Sequence, residues 1–477
     1  MRSHHRELNP PAGSTETTFH MITSQRPTHR FFTSIAVAML CFVGNANAQH
    51  GGKPRPEAWK GLVKGGRFMD RILPAPVYDK LTSDTWGADA VRPRDIQNGI
   101  EDRDWSYWGG RSILGPDGKY HLFVARWRED NPLGHMGWPN SEIVQAVSDR
   151  PTGPFAVVQV LGPGHFPEIH RMPDGEYRVY YFHGCYAAKS LKGPWKLMTQ
   201  KECGSMPVFG SLAVREDGSL LMISRRLDIW IKENGKDNFR KVSDKPIRPQ
   251  IPGNYEDPMI WRTEVQYHLI VNDWVGRTAY HMRSKDGVHW KLDPGEAYTV
   301  GVDGYEDGTK VNWNKYERPK VVQDAHGRAT HLHLAVIDVS KKEDLGKDNH
   351  SSKNIVLPLV VGRRLKILNT DKITADTATI RLKILSENGF DAQTEVNIDS
   401  LRFGAPEQVD FGHGCKPLKS EKSGKDLIVT FDASGNGLTD DNFAAKLIGK
   451  STKDRLLFGY SRLPGVDYSP YVPSGKP

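Results

Sequence analysis

Two short motifs in the second half of the chain carry acidic residues beside proline. Asp257 lies in the run Tyr255-Glu-Asp-Pro, and Glu317 begins the run Glu-Arg-Pro sixty residues later. Two carboxylates held on neighbouring elements can divide acid and base work, one protonated beside a leaving oxygen and one ionised opposite it. Cleavage of a glycosidic bond requires this arrangement. Asp257 and Glu317 are therefore the first candidate catalytic pair.

Basic and aromatic residues at comparable positions could hold a sugar. Guanidinium groups bind carboxylate or sulfate in a bidentate manner, and aromatic faces stack on sugar rings. The predicted substrate-binding residues are Arg111, His165, His170, Arg225, Arg318 and Trp108. Further candidates are Arg226, Trp105, Trp138, Trp274 and Trp313. The competing interpretations are that these side chains form ion pairs between neighbouring structural elements or pack in the core.

Histidines and tyrosines in the same regions allow a different reaction. A polysaccharide lyase needs a base, a cation that neutralises a uronate carboxylate, and an acid for the leaving oxygen. The residues that could serve are His135, His165, His170, His183, Tyr107, Tyr255 and Tyr316. His331 and His333 are interpreted as alternation along a buried strand, so neither a metal nor a cofactor is expected.

A repeat beginning near residue 105 supplies the elements that must position these groups. Each copy has an apolar strand, a tight turn and an aromatic-rich second strand, and the copies start at 110, 167, 210, 257 and 317. Three of the turns contain Asp-Gly, which accepts the positive φ of a hairpin. A four-stranded blade fits these intervals. The pattern predicts an all-β fold with a five-bladed propeller; a β-sandwich or a longer propeller is the alternative.

The motifs of the fourth and fifth copies resemble those of glycoside hydrolase family 43 and its five-bladed relatives. Tyr255-Glu-Asp-Pro-Met-Ile-Trp is similar to the family's Asp-Pro strand, and Glu317-Arg-Pro to its Glu-Gly-Pro strand. The resemblance covers roughly residues 105–365. It implies that Glu317 is the general acid and that Asp257 raises its pKa and orients it.

The chain departs from the family at the general base. The family has an aspartate at the head of an earlier blade, where the first copy has Gly110 and Arg111. Glu168 is the predicted substitute, with Asp104 as the alternative. The predicted function is that of an exo-acting hydrolase of a plant or algal polysaccharide or its oligosaccharides. Anionic sugars are among the substrates considered. The alternatives are a lyase and a non-catalytic carbohydrate-binding propeller.

The remaining segments indicate export and a second domain. Residues 1–48 contain basic residues, an apolar run and an Ala-Asn-Ala cleavage site, which predict a signal peptide and a secreted or periplasmic protein. Residues 49–104 form an N-terminal arm, 105–368 the propeller, and 369–477 a C-terminal β-sandwich that resembles modules of secreted bacterial proteins. The net charge is +8, but the sequence has no run of basic residues typical of nucleic-acid binding. No transmembrane segment is expected. Cys185 and Cys203 lie close enough in sequence for a disulfide between paired strands.

Overall fold

The computed structural model describes residues 55–374 and 376–473. The predicted signal segment lies outside these residues. Among the described residues, no helix has the length and apolar character needed to cross a membrane. Nearly all regular structure is β.

Five antiparallel sheets make up the propeller, and each follows the chain in order. Blade one contains β1 Trp105–Leu114, β2 Tyr120–Arg128, β3 Glu142–Ser148 and β4 Ala156–Pro163. Blade two contains β5 Glu168–Arg171, β6 Tyr177–Tyr181, β7 Gly184–Ala188 and β8 Lys196–Leu197. Blade three contains β9 Phe209–Val214, β10 Leu220–Ser224, β11 Ile229–Lys232 and β12 Arg240–Lys241. Blade four contains β13 Tyr255–Arg262, β14 Tyr267–Asp273, β15 Thr278–Ser284 and β16 Lys291–Thr299. Blade five contains β17 Lys315–Gln323, β18 Ala329–Ile337 and β19 Ser352–Pro358. The predicted five-bladed propeller is confirmed.

The first strand of each blade is its inner strand. β1 contacts β5 and β17, and β13 contacts β9 and β17. These strands are buried along nearly their whole length, since each has neighbours on both faces. The predicted hairpin turns join them to the second strands, with Gly118, Gly175 and Gly218 at positive φ.

The N-terminal arm closes the ring at blade five, which has only three strands of its own. The backbone of Ile100 pairs with that of Asn354 in β19, with N–O distances of 3.0 and 3.3 Å. The Asn98 side chain bonds both the carbonyl and the amide of Val356. The arm thus occupies the edge that a fourth strand would take. Its short 3₁₀ helices are Glu57–Gly61, Phe68–Arg71 and Asp89–Val91, and another, Gly134–Asn140, joins β2 to β3.

The C-terminal domain is one seven-stranded sheet folded about its own core. Its elements are β20 Arg363–Ile367, β21 Thr379–Ile384, β22 Val396–Gly404, β23 Pro417–Ser423, β24 Asp426–Asp432, β25 Ala444–Ser451 and β26 Leu456–Arg462, with the short helices α1 Ala392–Glu395 and α2 Pro406–Val409. The strand order is β22-β25-β26-β20-β21-β24-β23. Phe403 of β22 and Phe431 of β24 meet in the core with ring centroids 5.4 Å apart. These strands form a separate all-β unit with its own core, and the sandwich expected for it stays a prediction.

Strand β20 differs from the expectation that residues up to 368 belong to the propeller. It pairs with β26 and β21, so it lies in the C-terminal sheet. The reason is that the arm already fills the free edge of β19, which leaves the chain after Pro358 without a place in blade five.

The disulfide expected between Cys185 and Cys203 is not present. Both are free, buried thiols in one apolar cluster of blade two and blade three. The neighbouring Cys203 thiol and burial raise the pKa of Cys185.

Candidate active site

A bulge near the start of the inner strands defines what we call the head end of the propeller. Gly109, Phe166, Asp257 and Arg318 have φ between 53° and 61°, and proline follows three of them. The pairing registers of β1, β13 and β17 each shift at this point. Positive φ is costly for residues other than glycine, and such strain is concentrated at functional sites.

The bulges show which residues of different blades are equivalent. Asp257 and Arg318 occupy the same position in blades four and five, and the same position of blade one is Gly109. Glu256 and Glu317 precede them, where blade one has Trp108. Neither equivalent position of blade one carries a carboxylate. The family's base is therefore absent from the structural position as well as from the sequence motif.

Asp257 is fully buried and paired with Arg318 across adjacent blades. Arg318 Nη1 donates to Asp257 Oδ1 at 2.6 Å, while Oδ2 is buried without a partner. Burial raises the pKa of Asp257 well above its ordinary value, and the Arg318 charge offsets only part of this. The guanidinium lies 4.5 Å from the ring centroid of Phe166. This predicted substrate-binding arginine is thus committed to an internal ion pair.

Glu317 is held between two lysines. Lys315 Nζ donates to Oε1 at 3.2 Å, and Lys341 Nζ donates to Oε2. Burial by itself would raise the pKa of Glu317, but the charges of Lys341 and Lys315 outweigh it and lower the pKa. Of the two carboxylates, Glu317 therefore loses its proton more readily, and Asp257 retains its proton more strongly.

Aromatic side chains pack around this pair, but most of them are covered. Trp108 is only 1% exposed, so it offers no face to a sugar. His135 packs edge-on against Trp108 at 4.5 Å, and Trp138 lies 4.7 Å from His165. Burial, aided by nearby cations, lowers the pKa of His135 and of His165 well below the ordinary value, so both rings are neutral.

Trp274 is the tryptophan near the head end that best suits sugar stacking. Its side chain is 42% exposed, whereas Trp313 is buried. Lys315 Nζ lies 5.2 Å from the centroid of the Trp274 ring and donates to Glu317, so the exposed ring lies close to the carboxylate. Arg225 is partly exposed, and its Nη2 donates to Glu256 Oε2 at 2.7 Å.

Glu168 belongs to what we call the axial cluster, together with Lys320, His170, Arg111 and Ser211. Its carboxylate accepts from Lys320 Nζ, from His170 Nε2 at 2.6 Å and from Ser211 Oγ at 2.9 Å. Arg111 Nη1 lies 3.5 Å away. Glu168 and Lys320 are both completely buried. Burial alone would raise the pKa of Glu168, but Lys320, His170 and Arg111 hold it far below its usual range.

The axial cluster does not suit the roles predicted for its members. Glu168 has no unpaired oxygen and no solvent access, so it is not placed to activate water. Arg111 and His170 line a cavity of about 680 Å³ at the other end of the inner strands. Asp104, the alternative base, is exposed in the turn before β1. The structure groups Glu168 with Arg111 and His170, and groups Asp257 with Glu317, Arg318 and Arg225.

The tyrosines predicted for a lyase are engaged elsewhere. Tyr107 donates its hydroxyl to Asp102, Tyr255 to the Ile251 carbonyl, and Tyr316 to Asp303. His183 is exposed in the turn between β6 and β7. None of the three tyrosines that the sequence suggested therefore has a free hydroxyl that could act as the acid of a lyase.

Sequence reasoning missed Lys341 and Glu256. Lys341 comes from the β18–β19 connection, outside every repeat motif, and no sequence signal predicted its contact with Glu317. Glu256 is adjacent to Asp257, and its equivalence to Glu317 could have been found by aligning Glu-Asp-Pro with Glu-Arg-Pro.

No protein-family model and no curated protein matches the chain. Solved structures do match. The catalytic domain of the GH62 α-L-arabinofuranosidase of Coprinopsis cinerea is 13% identical and has a TM-score of 0.41, covering 56% of this chain and 95% of that one. A family 117 glycoside hydrolase of the marine bacterium Zobellia galactanivorans is 14% identical, with a TM-score of 0.39 over 55% of this chain and 88% of that one. Fructan 1-exohydrolase IIa of Cichorium intybus is 10% identical, with a TM-score of 0.38 over 77% and 91%. Similarity at this level assigns no activity, and the functional argument therefore rests on the site.

Proposed function

We propose that this protein is an exported glycoside hydrolase that acts on an anionic sugar at the head end, with Glu317 as general acid and Asp257 as the residue that modulates it. One observation carries the proposal. Asp257 and Glu317 head adjacent inner strands, and their surroundings move their pKa values in opposite directions. By themselves these directions leave the proton on Asp257, so Glu317 can act as the acid only when the charges of Lys341 and Lys315 are taken up by the substrate.

The charge of the substrate follows from the lysines on Glu317. A general acid must hold a proton, yet Lys341 and Lys315 keep Glu317 ionised. A carboxylate or sulfate on the sugar would compete for these ammonium groups. Once they pair with the substrate, burial of Glu317 raises its pKa. An anionic substrate would thus promote protonation of the acid that cleaves it.

Glu256 is our candidate for the general base. It is the equivalent of Glu317 on blade four, its side chain is 19% exposed, and it pairs with the partly exposed Arg225. A carboxylate with solvent access can activate a water molecule, whereas the fully buried Asp257 and Glu168 cannot. Arg225, Lys315 and Lys341 would bind the sugar's anionic groups.

The experiment that tests the proposal compares neutral, uronate-containing and sulfated oligosaccharides. We expect new reducing ends from an anionic substrate, without the ultraviolet absorbance of an unsaturated uronate. That absorbance would instead establish a lyase. Cleavage of neutral sugars alone would contradict the role given to the lysines.

A carbohydrate-binding protein without catalysis is the second candidate. The lysines bound to Glu317 and the lack of a carboxylate at the head-end positions of blade one favour it. Calorimetric binding of an anionic oligosaccharide that is recovered intact would support this candidate over the hydrolase.

Lys341→Met is expected to move the alkaline limb of the pH profile of kcat/KM on a neutral substrate to higher pH. Removing the Lys341 charge raises the pKa of Glu317, and a general acid is active below its pKa. On an anionic substrate, KM should rise because one binding cation is lost. Lys342→Met, at an exposed neighbouring position, is the matched control. A limb that stays in place in Lys341→Met would contradict the assignment of Glu317.

Trp274→Ala is expected to raise KM with little change in kcat. Loss of one stacking surface costs about 1 kcal/mol, which is roughly a fivefold change in affinity. Leu418→Ala, at a 60% exposed position of the C-terminal domain, should leave both constants unchanged. Equal constants for Trp274→Ala and the unaltered protein would remove Trp274 from the substrate site.

A further inference from the structure

Three carboxylates from blades one and five converge on one point outside the head end. Glu129 directly follows β2, and Asp344 and Asp348 lie in the connection between β18 and β19. One oxygen of each residue lies within 4.8 Å of the others. Glu129 is far in sequence from Asp344 and Asp348, so its meeting with them is a product of the fold.

Asp344 has no partner for its charge. It is 1% exposed, and both carboxylate oxygens are buried without a hydrogen bond. Glu129 Oε1 is buried and unpaired in the same way, while its Oε2 accepts from Ser106 Oγ at 2.6 Å and Ser351 Oγ at 2.8 Å. A carboxylate oxygen buried without a partner destabilises a protein interior. Two such residues side by side require a compensating charge.

The protein does not supply that charge. In residues 55–374 and 376–473, no lysine, arginine or histidine forms an ion pair with Glu129, Asp344 or Asp348. The nearby Asp338 is already occupied by His350 Nδ1 at 2.6 Å and the Ala88 amide at 2.9 Å.

We propose that Glu129, Asp344 and Asp348 bind a calcium ion. Calcium takes carboxylate oxygens, mono- or bidentate, and completes its shell with carbonyl oxygens and water. The Asp348 oxygens are oriented by the Leu345 and His350 amides, at 2.8 and 2.7 Å, and this residue is exposed, which leaves a path for the ion to enter. A site of three carboxylates and no sulfur or imidazole ligand is one for a hard cation.

The ion would fix the β18–β19 connection to blade one. A side chain at Gly134 would collide with the Asp344 carbonyl, at 1.9 Å, so the two backbones are already in close contact. Lys341, which contacts Glu317, lies three residues before Asp344 in the same connection. Neutralising the cluster therefore stabilises the segment that delivers Lys341 to the head end.

Calcium titration of the metal-free full chain by calorimetry tests the site. After treatment with EDTA and dialysis, the unaltered protein should bind one calcium ion, and its melting temperature should rise with added calcium. Asp344→Asn should weaken binding at least about tenfold, since ligand charge sets calcium affinity. In EDTA this variant should melt no lower than the unaltered protein, because a like charge has been removed.

Glu343→Gln is the matched control, since it removes an exposed charge of the same connection whose only described bond is to the Ser340 amide. It should bind calcium like the unaltered protein. If Asp344→Asn does not fold, Glu129→Gln takes its place with the same expectation. The proposal is overturned if the metal-free protein binds no calcium, or if Asp344→Asn or Glu129→Gln binds it undiminished.

Discussion

Glu317→Gln is expected to lower kcat/KM for hydrolysis of an anionic oligosaccharide by about 10²–10⁴-fold, the contribution of a positioned general acid. The amide keeps the shape of the side chain but has no proton to transfer. Substrate binding should survive, because Lys315 and Lys341 remain and are released from their internal partner. Steady-state rates and calorimetric binding of the same oligosaccharide measure the two effects separately.

The fold of Glu317→Gln should be intact. Both lysines keep partial exposure, 17% and 25% of the side chain, so water can solvate them once the carboxylate is gone. Glu216→Gln, which removes a surface carboxylate paired with Arg462, is the control and should be fully active. Full hydrolysis by Glu317→Gln would end the hydrolase assignment for this residue.

Glu168→Gln is expected to destabilise the protein by about 3–5 kcal/mol, because it leaves the buried Lys320 charge without its partner. Chemical unfolding at neutral pH measures this loss. Glu202→Gln is the contrasting control, since its pair with Lys196 is exposed and its loss should leave stability almost unchanged. A general base would behave differently, with lost activity and unchanged stability.

The pH dependence of Glu168→Gln provides a second measurement. The pKa of Glu168 is lower in the folded protein than in the unfolded chain, so its stabilisation is complete above the ordinary value of about 4.3. It is lost as the pH falls through the folded-state pKa. The difference in unfolding free energy between the two proteins should therefore narrow below about pH 4. Adding Lys320→Met should recover part of the lost stability, since it removes the uncompensated charge.

The repeat could be predicted from sequence because its signals are local. Asp-Gly turns and alternating apolar residues specify each hairpin within about fifteen residues, and the five copies then imply the propeller. Ring closure could not be predicted in this way. The contact of Ile100 with Asn354 joins residues far apart in the chain, and the arm has only weak strand signals.

The site could be predicted only in part. Asp257 and Glu317 stand beside proline in equivalent bulges, so a short motif was sufficient to place them at the head end. Glu168 begins its strand in a similar way, yet it is bonded inside the axial cluster. A shift of two positions along an inner strand is therefore enough to place a carboxylate in the core instead of at the head end.

The sequence by itself determined the five blades, the order of the inner strands and the two carboxylates at their heads, because turn chemistry and strand alternation act over short distances. Tertiary structure alone decided how those carboxylates are charged. Lys341 reaches Glu317 from a connection outside the repeats, Lys320 neutralises Glu168 across the axis, and Asp344 meets Glu129 of a different blade. Ionisation depends on burial and on charges that folding brings near, and the spacing of a motif predicts neither of them.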